Sequence, residues 1–159
     1  MRQITAADEA LITTFGRLVE ANSRLSRQLG RSLEQQAALP HAWFEVLLRV
    51  SRAPRGRISK SSLAEQVALT SGGITKMLDR MIDAGLVQRE PCPTDRRVCF
   101  AALTPDGDRA LTAAAKVHAR NLRDVFAGFS EADLRALDDL LDRLRAAEFD
   151  DGFHSPRSS

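Results

Sequence analysis

Apolar residues near the N-terminus recur at helical spacing, with arginine and glutamine between them. This pattern predicts one long amphipathic helix from Asp8 to Leu39. Pro40 ends it, because the residue before a proline disfavours the helical conformation. A helix of this length cannot bury its stripe against one short neighbour, so it needs a bundle or a second subunit. The stripe consists of Leu11, Phe15, Leu18, Val19, Leu25, Leu29 and Leu33.

The next segment predicts a central helix and then a short one. The stretch His41–Arg52 is apolar around much of its circumference, and a proline and a glycine follow it and break the helix. Arg57–Ser59 is too short to assign by itself. A capping-box pattern from Ser62 to Glu65 then predicts a short helix that ends near Ala68.

A further helix follows after a tight break in the chain. Ser71 can cap it, and it runs from about Gly72 to Ala84. Gly85 stands where a left-handed residue commonly terminates a helix. The predicted inner face of this helix holds Ile74, Met77, Leu78, Met81 and Ile82.

The pattern then changes from helical to extended. Leu86–Glu90 and Arg97–Leu103 predict two strands, joined by the proline-containing loop Pro91–Arg96. Together they form a two-stranded hairpin with a charged tip. Thr104 and the proline after it are typical of a helix start, and the helix extends from Pro105 to about Phe126.

One more amphipathic helix follows. Ser130 and Asp133 start it, and five leucines form its apolar stripe. The polar segment Asp150–Ser159 is expected to be a flexible tail. The leucines are Leu134, Leu137, Leu140, Leu141 and Leu144.

Composition limits the protein class. The chain has 159 residues, of which 43% are hydrophobic and 28% charged, as in an ordinary globular domain. It has no apolar run of membrane-spanning length and no signal-peptide core, so a cytoplasmic location is expected. Two cysteines, Cys92 and Cys99, match no common zinc or redox spacing, and three histidines lie far apart. We therefore expect no metal, no cofactor and no catalytic residue.

Charge is distributed unevenly, although the net charge is only +2. Residues 1–60 contain 10 basic and 5 acidic residues, whereas residues 98–159 contain 8 basic and 11 acidic residues. Arg52, Arg55, Arg57 and Lys60 are clustered in the first part. Such a cluster is typical of a polyanion-binding patch, and also of a solvated loop.

The two consecutive short helices predict a helix-turn-helix, whose second helix can enter the DNA major groove. Small residues at its N-terminus allow close approach to phosphates, and basic residues one turn apart can reach phosphates or base edges. The basic hairpin tip can reach an adjacent minor groove. Each piece alone also fits core packing or a solvated loop. The candidate DNA-binding residues are Ser61, Ser71, Gly72, Gly73, Thr75, Lys76, Arg80, Arg96 and Arg97.

Residues 41–107 resemble the MarR family of winged helix regulators. The stretch Leu86–Arg97, with its Asp-Arg-Arg tip, is similar to that family's strand and wing. Leu103–Gly107 resembles its Leu-Thr-x-x-Gly helix entry, and Ser71–Met81 resembles its recognition helix. With the flanking helices, the resemblance covers about residues 8–148.

The resemblance implies a mainly α fold with a small β-hairpin wing, in one domain over residues 1–149. Residues 41–103 form the winged helix-turn-helix lobe, and residues 8–39 and 105–149 are dimerisation helices. It further implies a homodimer on a pseudo-palindromic DNA operator, acting as a repressor that a small aromatic or phenolic effector releases. The long apolar stripes at both chain ends support the dimer independently, since one small lobe cannot cover them.

The effector pocket is expected between the dimerisation arms and the lobe, with Phe15, His41, Trp43 and Phe44 as candidates. These aromatic residues also fit a plain hydrophobic core. The family's peroxide-sensing mechanism does not carry over, because the chain has no tyrosine and no cysteine before Cys92. A zinc-ligand cluster is not evident. A redox role for Cys92 and Cys99 is an open alternative.

Other function classes remain as alternatives. The regulator can be independent of an effector, or respond to a metal or to oxidation. A winged helix can also serve protein contacts without a DNA role, in which case DNA binding would lack a steep salt dependence. An enzyme is disfavoured, since no glycine-rich phosphate loop follows a strand and no nucleophile–base pair is evident.

Overall fold

The chain folds as six α-helices and a small antiparallel sheet, in a computed structural model that describes residues 4–67, 71–91 and 99–147. The predicted fold class, mainly α with a small β element, is confirmed. The chain divides between Leu122 and Arg123 into two compact units. The helices are α1 (Ala6–Ala37), α2 (His41–Arg52), α3 (Lys60–Gln66), α4 (Ser71–Asp83), α5 (Pro105–Val125) and α6 (Glu131–Arg145). The strands are β1 (Arg57–Ser59), β2 (Val87–Pro91) and β3 (Cys99–Leu103), and a 3-10 turn spans Pro54–Gly56.

Helix α1 begins and ends two residues earlier than predicted. Thr5 and Asp8 form a reciprocal capping box at its start, and Ala38 closes its end in the left-handed conformation, with φ 50°. Its 32 residues correspond to a length of about 48 Å. All residues of α1 up to Asn22 are exposed, and the buried positions lie only in its C-terminal part. These buried positions are Leu29, Gly30 and Leu33.

Helix α2 lies at the centre of the first unit. Four of its residues are buried, which agrees with the apolar character predicted around its circumference, and each such side chain stabilises the fold by about 1.5–3 kcal/mol relative to exposure. Buried residues from the other elements of this unit complete the core. From α2 these are Phe44, Val46, Leu47 and Val50, and from the rest of the unit Leu33, Leu39, Ile58, Leu63, Ala64, Ile74, Leu78, Met81, Val87, Ala101, Leu111 and Ala114.

The sheet has three strands in the order β1-β3-β2, all antiparallel, where a two-stranded hairpin was predicted. The unassigned segment Arg57–Ser59 is the third strand, because its residues pair with Phe100–Ala102 of β3. Three residues are too few to reveal a strand by alternation alone. The hairpin itself pairs Val87 with Leu103, one residue later than the predicted start of β2. The first two residues of the predicted second strand lie outside the described residues, and so does the predicted tip of the hairpin.

The predicted capping box at Ser62 is wrong. Ser59 is the N-cap of α3, and its Oγ accepts a hydrogen bond from the Ser62 N–H at 3.2 Å. The helix therefore starts three residues earlier, directly after β1, because the extended backbone of Ser59 already satisfies the requirements of a cap. The predicted end of this helix at Ala68 lies outside the described residues.

The end of α4 is joined to the start of α5 by a compact set of hydrogen bonds. Gly85 adopts φ 73°, as predicted for a left-handed helix terminus. The Thr104 Oγ1 donates to the Gly85 carbonyl at 2.5 Å and accepts from the Gly107 N–H at 2.9 Å. The Thr104 N–H also donates to the Leu86 carbonyl at 3.1 Å. One threonine thus caps α5 and fixes it to the turn that leads into β2.

This junction leaves no space for a side chain at Gly107. A Cβ atom there would lie 1.9 Å from the backbone oxygen of Leu86. By contrast, a Cβ at Gly72 would meet no atom within 4 Å.

Helix α5 also contacts α1 and α2 within the first unit. The Asn121 amide donates to the Ser32 hydroxyl at 2.7 Å. The His118 ring packs against Phe44 with a centroid distance of 4.9 Å, and His41 lies 6.5 Å away. The Nδ1 atom of His118 is buried and has no hydrogen-bond partner in the described part of the chain. Burial lowers the pKa of His118, and the nearby His41 lowers it further, while Glu45 opposes the change.

The second unit contains the end of α5 and α6. Ser130 and Asp133, predicted to start α6, form a capping box there, and Phe126 packs edge-on against Phe129 at 5.6 Å. None of the described residues of α6 is buried. Four of the five predicted stripe leucines are exposed, namely Leu134, Leu140, Leu141 and Leu144.

Among the described residues, no helix is both long enough and apolar enough to cross a lipid bilayer.

We expect Gly107→Ala to destabilise the protein by about 1–3 kcal/mol, because the new methyl group must displace backbone rather than a flexible side chain. Thermal unfolding measures the change. Gly72→Ala is the matched control and should keep or raise the melting temperature, since its Cβ meets open space in a helix. An unchanged melting temperature for Gly107→Ala would contradict the tight junction.

We also expect acid to weaken the fold through His118. Its lowered pKa means that below the ordinary histidine value, near 6.5, the unfolded chain binds the proton more readily than the folded chain. The free energy of unfolding should therefore be highest above pH 7 and should fall as the pH drops through the ordinary pKa of histidine. Urea unfolding of the wild type and His118→Gln across this range, at one protein concentration, tests this. Equal pH dependence in the two proteins would refute the assignment.

Candidate nucleic-acid interface

Helix α4 is buried on one side and polar on the other. Its inner residues Ile74, Leu78 and Met81 are buried in the core, and Met77 and Ile82 pack against it. This is the inner face predicted from the sequence. The apolar face therefore fixes the rotation of the helix and determines which residues point to solvent.

The outer face of α4 carries two cations and small residues. Lys76 and Arg80 are exposed and lie one turn apart, and Gly72 is exposed in the first turn. Gly73 and Thr75 are partly buried and each takes part in an interaction. Ser71 is the first residue of the helix instead of its predicted cap. The helix N-terminus and the small residues beside it form a surface that anions can approach closely.

Helix α3 lies beside this face. Ser61 is exposed near its start, and its Oγ is 3.1 Å from the Ser59 Oγ. A cleft of about 490 Å³ lies between the start of α3, α4 and the sheet, and is lined by Ser61, Lys60 and Thr75 among others. The structure thus brings Ser61 next to the outer face of α4. Lys60 is exposed at the same edge, whereas the sequence placed it only in a basic cluster.

The outer face of α4 also carries carboxylates, since Asp83 is exposed in its last turn and Asp79 lies one turn before it. In the structure Asp79 pairs with Arg89 of β2, and both side chains are about half exposed. An exposed pair of this kind contributes about 1 kcal/mol or less to stability. The pair also has an electrostatic effect, because the positive charge of Arg89 compensates the negative charge of Asp79 next to Arg80.

Arg89 belongs to the polar surface around α4, although the sequence pattern did not predict it there. The residue lies ten positions after Asp79, so helical spacing gives no signal for the pair. Only the pairing of β2 with β3, which places β2 beside α4, brings the two side chains together. Arg96 and Arg97, the predicted wing-tip contacts, lie outside the described residues.

The four predicted effector residues occupy different environments. Phe44 is 3% exposed and packs in the core against His118, whereas Phe15 is 67% exposed on α1. Trp43 is partly buried against the core. His41 lines a shallow cleft of about 380 Å³ beside α1. A pocket shared by the four stays a prediction.

Residues suited to redox or metal chemistry are sparse in the described part of the chain. Cys99 is a free, exposed thiol at the start of β3, and Cys92 lies outside the described residues. No cluster of three or more His, Cys, Asp or Glu side chains able to hold a metal occurs among the residues described.

Comparison with known proteins gives a consistent family. The sequence model of the MarR family matches residues 39–99, which span the lobe from the start of α2 to the start of β3. The chain is 31% identical to the HTH-type transcriptional regulator PecS of Dickeya dadantii, over 77% of this chain and 76% of PecS.

Solved structures agree with this result. The MarR family transcriptional regulator Sco3205 of Streptomyces coelicolor, in complex with DNA, superposes with a TM-score of 0.76 at 27% identity and covers 91% of this chain and 89% of that chain. A mutant of MarR from E. coli complexed with operator DNA gives a TM-score of 0.72 at 25% identity, covering 84% of this chain and 94% of that chain.

These relatives are transcriptional regulators and not enzymes. The winged helix lobe, the polar outer face of α4 and the sequence identity over most of the chain point to one conclusion. The protein belongs to the MarR family of transcriptional regulators.

Proposed function

We propose that the protein binds a pseudo-palindromic DNA operator as a homodimer, represses transcription and is released by a small-molecule effector. The observation that carries the DNA role is the division of α4 into a buried inner face and an outer face that exposes Gly72, Lys76 and Arg80. The two solved relatives that carry DNA support the same role.

In this proposal α4 enters the major groove with its N-terminus first. The exposed Gly72 allows the helix backbone to approach a phosphate, and the partial positive charge of the helix start favours that contact. Lys76 and Arg80, one turn further on, reach phosphates or guanine edges. Arg96 and Arg97 would extend the contact from the hairpin tip to the minor groove.

Unpaired apolar surface supports the dimer. Leu11, Phe15 and Ile12 of α1 are each more than 60% exposed. In α6, Leu140 and Leu144 are both more than half exposed. Such surface is costly in water, and a second copy of the chain is the partner that covers it. A two-fold axis would then place two α4 helices about one DNA turn apart, ~34 Å.

The effector acts in this proposal by favouring one lobe spacing over another. A tenfold loss of DNA affinity requires about 1.4 kcal/mol of differential effector binding between the two states. The contacts of α2 with α1 and α5, around His41 and His118, are a place where an effector between arms and lobe can act. We place this activity in the cytoplasm, where the DNA is.

Lys76→Ala should weaken operator binding and flatten its salt dependence, whereas the melting temperature should not change. Each phosphate contact that is removed lowers the slope of log K against log salt by about 0.9, and the homodimer loses two such contacts. Fluorescence anisotropy with DNA from upstream of the protein's own gene, across a salt series, measures it. Lys116→Ala on α5 is the matched control, since Lys116 is also exposed on a helix.

Two results would count against the DNA role. An unaltered salt slope for Lys76→Ala removes that residue from the interface. Absence of binding to any DNA at low salt favours the alternative of a protein-contact module.

Phe15→Glu should convert dimers into monomers or aggregates, because a charge would be buried in the apolar interface. Sedimentation equilibrium measures the mass. Gln35→Glu introduces the same residue at an exposed position of the same helix and should leave the dimer intact. A wild-type chain that sediments as a well-folded monomer would refute the dimer.

A further inference from the structure

A groove runs along an open edge of the sheet in the first unit. Strand β1 pairs with β3 on one side and has no described strand on its other side. A cavity of about 610 Å³ lies at this edge, and all three residues of β1 line it. Because neighbouring residues of a strand point to opposite faces, a cavity that touches all three also reaches the backbone between them. We call this cavity the edge groove.

Helix α2 forms the opposite wall of the edge groove. Its lining residues recur at the spacing of a single helix face, so the wall is continuous over two turns. A sheet places its next strand about 4.8 Å from the last one, and the cavity extends from β1 to this wall. The groove therefore has the form that one extended peptide chain needs. The lining residues from α2 are Glu45, Leu48, Arg49 and Arg52, and those from α3 are Ser62 and Gln66.

The charge of the edge groove is positive and largely uncompensated. Glu45 is the one carboxylate among the described residues that line it. Arg49, Arg52 and Arg55 form no ion pair with any described residue. The Nε atom of Arg49 is also buried, and it has no hydrogen-bond partner in the described part of the chain. A buried donor without a partner is costly, so the groove favours a partner that carries carboxylates.

Arg57 differs from these three arginines, because its charge is already paired. Its guanidinium bonds to Glu90 of β2 at 3.2 Å and lies over the Phe100 ring of β3 at 4.8 Å. These contacts span the sheet from β1 to β2 and hold the open edge in place. An edge that is held in this way loses little conformational entropy when a further strand pairs with it.

The register of β1 places the unpaired arginines away from the predicted DNA contacts. Ser59 pairs beside the start of β3, where the chain returns from the predicted hairpin tip, whereas Arg57 pairs with Ala102, towards α5. Arg52 and Arg55 come shortly before β1, so they lie at the end of the sheet that is opposite the tip. A partner in the edge groove can therefore be bound at the same time as DNA.

We propose that the edge groove binds an extended acidic segment of a partner protein, which adds a strand to the edge of β1. In strand addition, backbone hydrogen bonds supply affinity and alternate side chains supply specificity. The carboxylates of the segment meet Arg49, Arg52 and Arg55. Its apolar residues contact Leu48 and Ile58, which also line the groove. The groove does not include the outer face of α4, so this proposal stands or fails separately from the DNA role.

Fluorescence anisotropy with a labelled peptide tests the site on the full chain. The peptide has about seven residues, in which aspartate alternates with leucine and phenylalanine. It should bind saturably, and the same peptide with asparagine for aspartate should bind at least about tenfold more weakly. Arg52→Gln and Arg55→Asn should each weaken binding by about fivefold or more. Arg55 adopts φ 60°, which asparagine tolerates, so Arg55→Asn is expected to fold.

Two backbone-methylated forms of the acidic peptide test the strand addition itself. Alternate N–H groups of a strand point to opposite edges. Methylation at the set that faces β1 should weaken binding by about tenfold or more, because it removes the paired N–H groups, whereas methylation at the other set should not. Equal affinity of the two methylated forms would contradict the added strand.

Arg123→Gln is the matched control, since Arg123 is also an exposed arginine near the C-terminal end of a helix and lies outside the groove. It should leave peptide binding unchanged. Equal affinity for the acidic and the neutral peptide would overturn the proposal, as would wild-type affinity in both groove variants. If DNA displaces the peptide, the arginines serve the DNA backbone and the peptide site is wrong.

Discussion

The arrangement of the lobe depends on the close contact between the start of α5 and the turn after α4. Thr104 bonds to the Gly85 and Leu86 carbonyls and to the Gly107 N–H, and Gly107 approaches Leu86 so closely that no Cβ fits. Because α4 ends at this turn and β2 begins there, the same contact orients the outer face of α4 and the hairpin. It also fixes the first turn of α5. A single threonine and a single glycine thus couple the end of α4 to the start of α5.

Most helices of the fold could be predicted from the sequence, because each long helix has its own apolar periodicity and its own start or stop residue. Ser130, Gly85 and Pro40 acted as local signals and gave boundaries within two residues or so. Strand β1 could not be predicted, since its three residues become a strand only through pairing with β3. The misplaced cap at Ser62 has the same cause, because Ser59 becomes a cap only where that strand ends.

Side chains at the site follow the same rule. Lys76 and Arg80 could be placed on the outer face from helical spacing alone, and they are exposed as expected. The pairing of Asp79 with Arg89 and the approach of Arg57 to Glu90 depend on strand register. The arginines of the basic cluster before α3 therefore differ in their partners. Arg57 pairs with Glu90 within the sheet, whereas Arg52 and Arg55 line the edge groove and have no ion-pair partner among the described residues.

If the chain dimerises as proposed, the exposed first part of α1 makes the folding of that segment depend on protein concentration. In one chain no residue from Ile4 to Asn22 is buried, so this segment has little besides its own backbone hydrogen bonds to hold it helical. Under the proposed dimer, the arm gains its contacts in a second-order reaction. At low copy number, newly made chains would then wait longer before this part of α1 is stabilised. The number of chains in which it is stabilised would increase more steeply than linearly with the expression level.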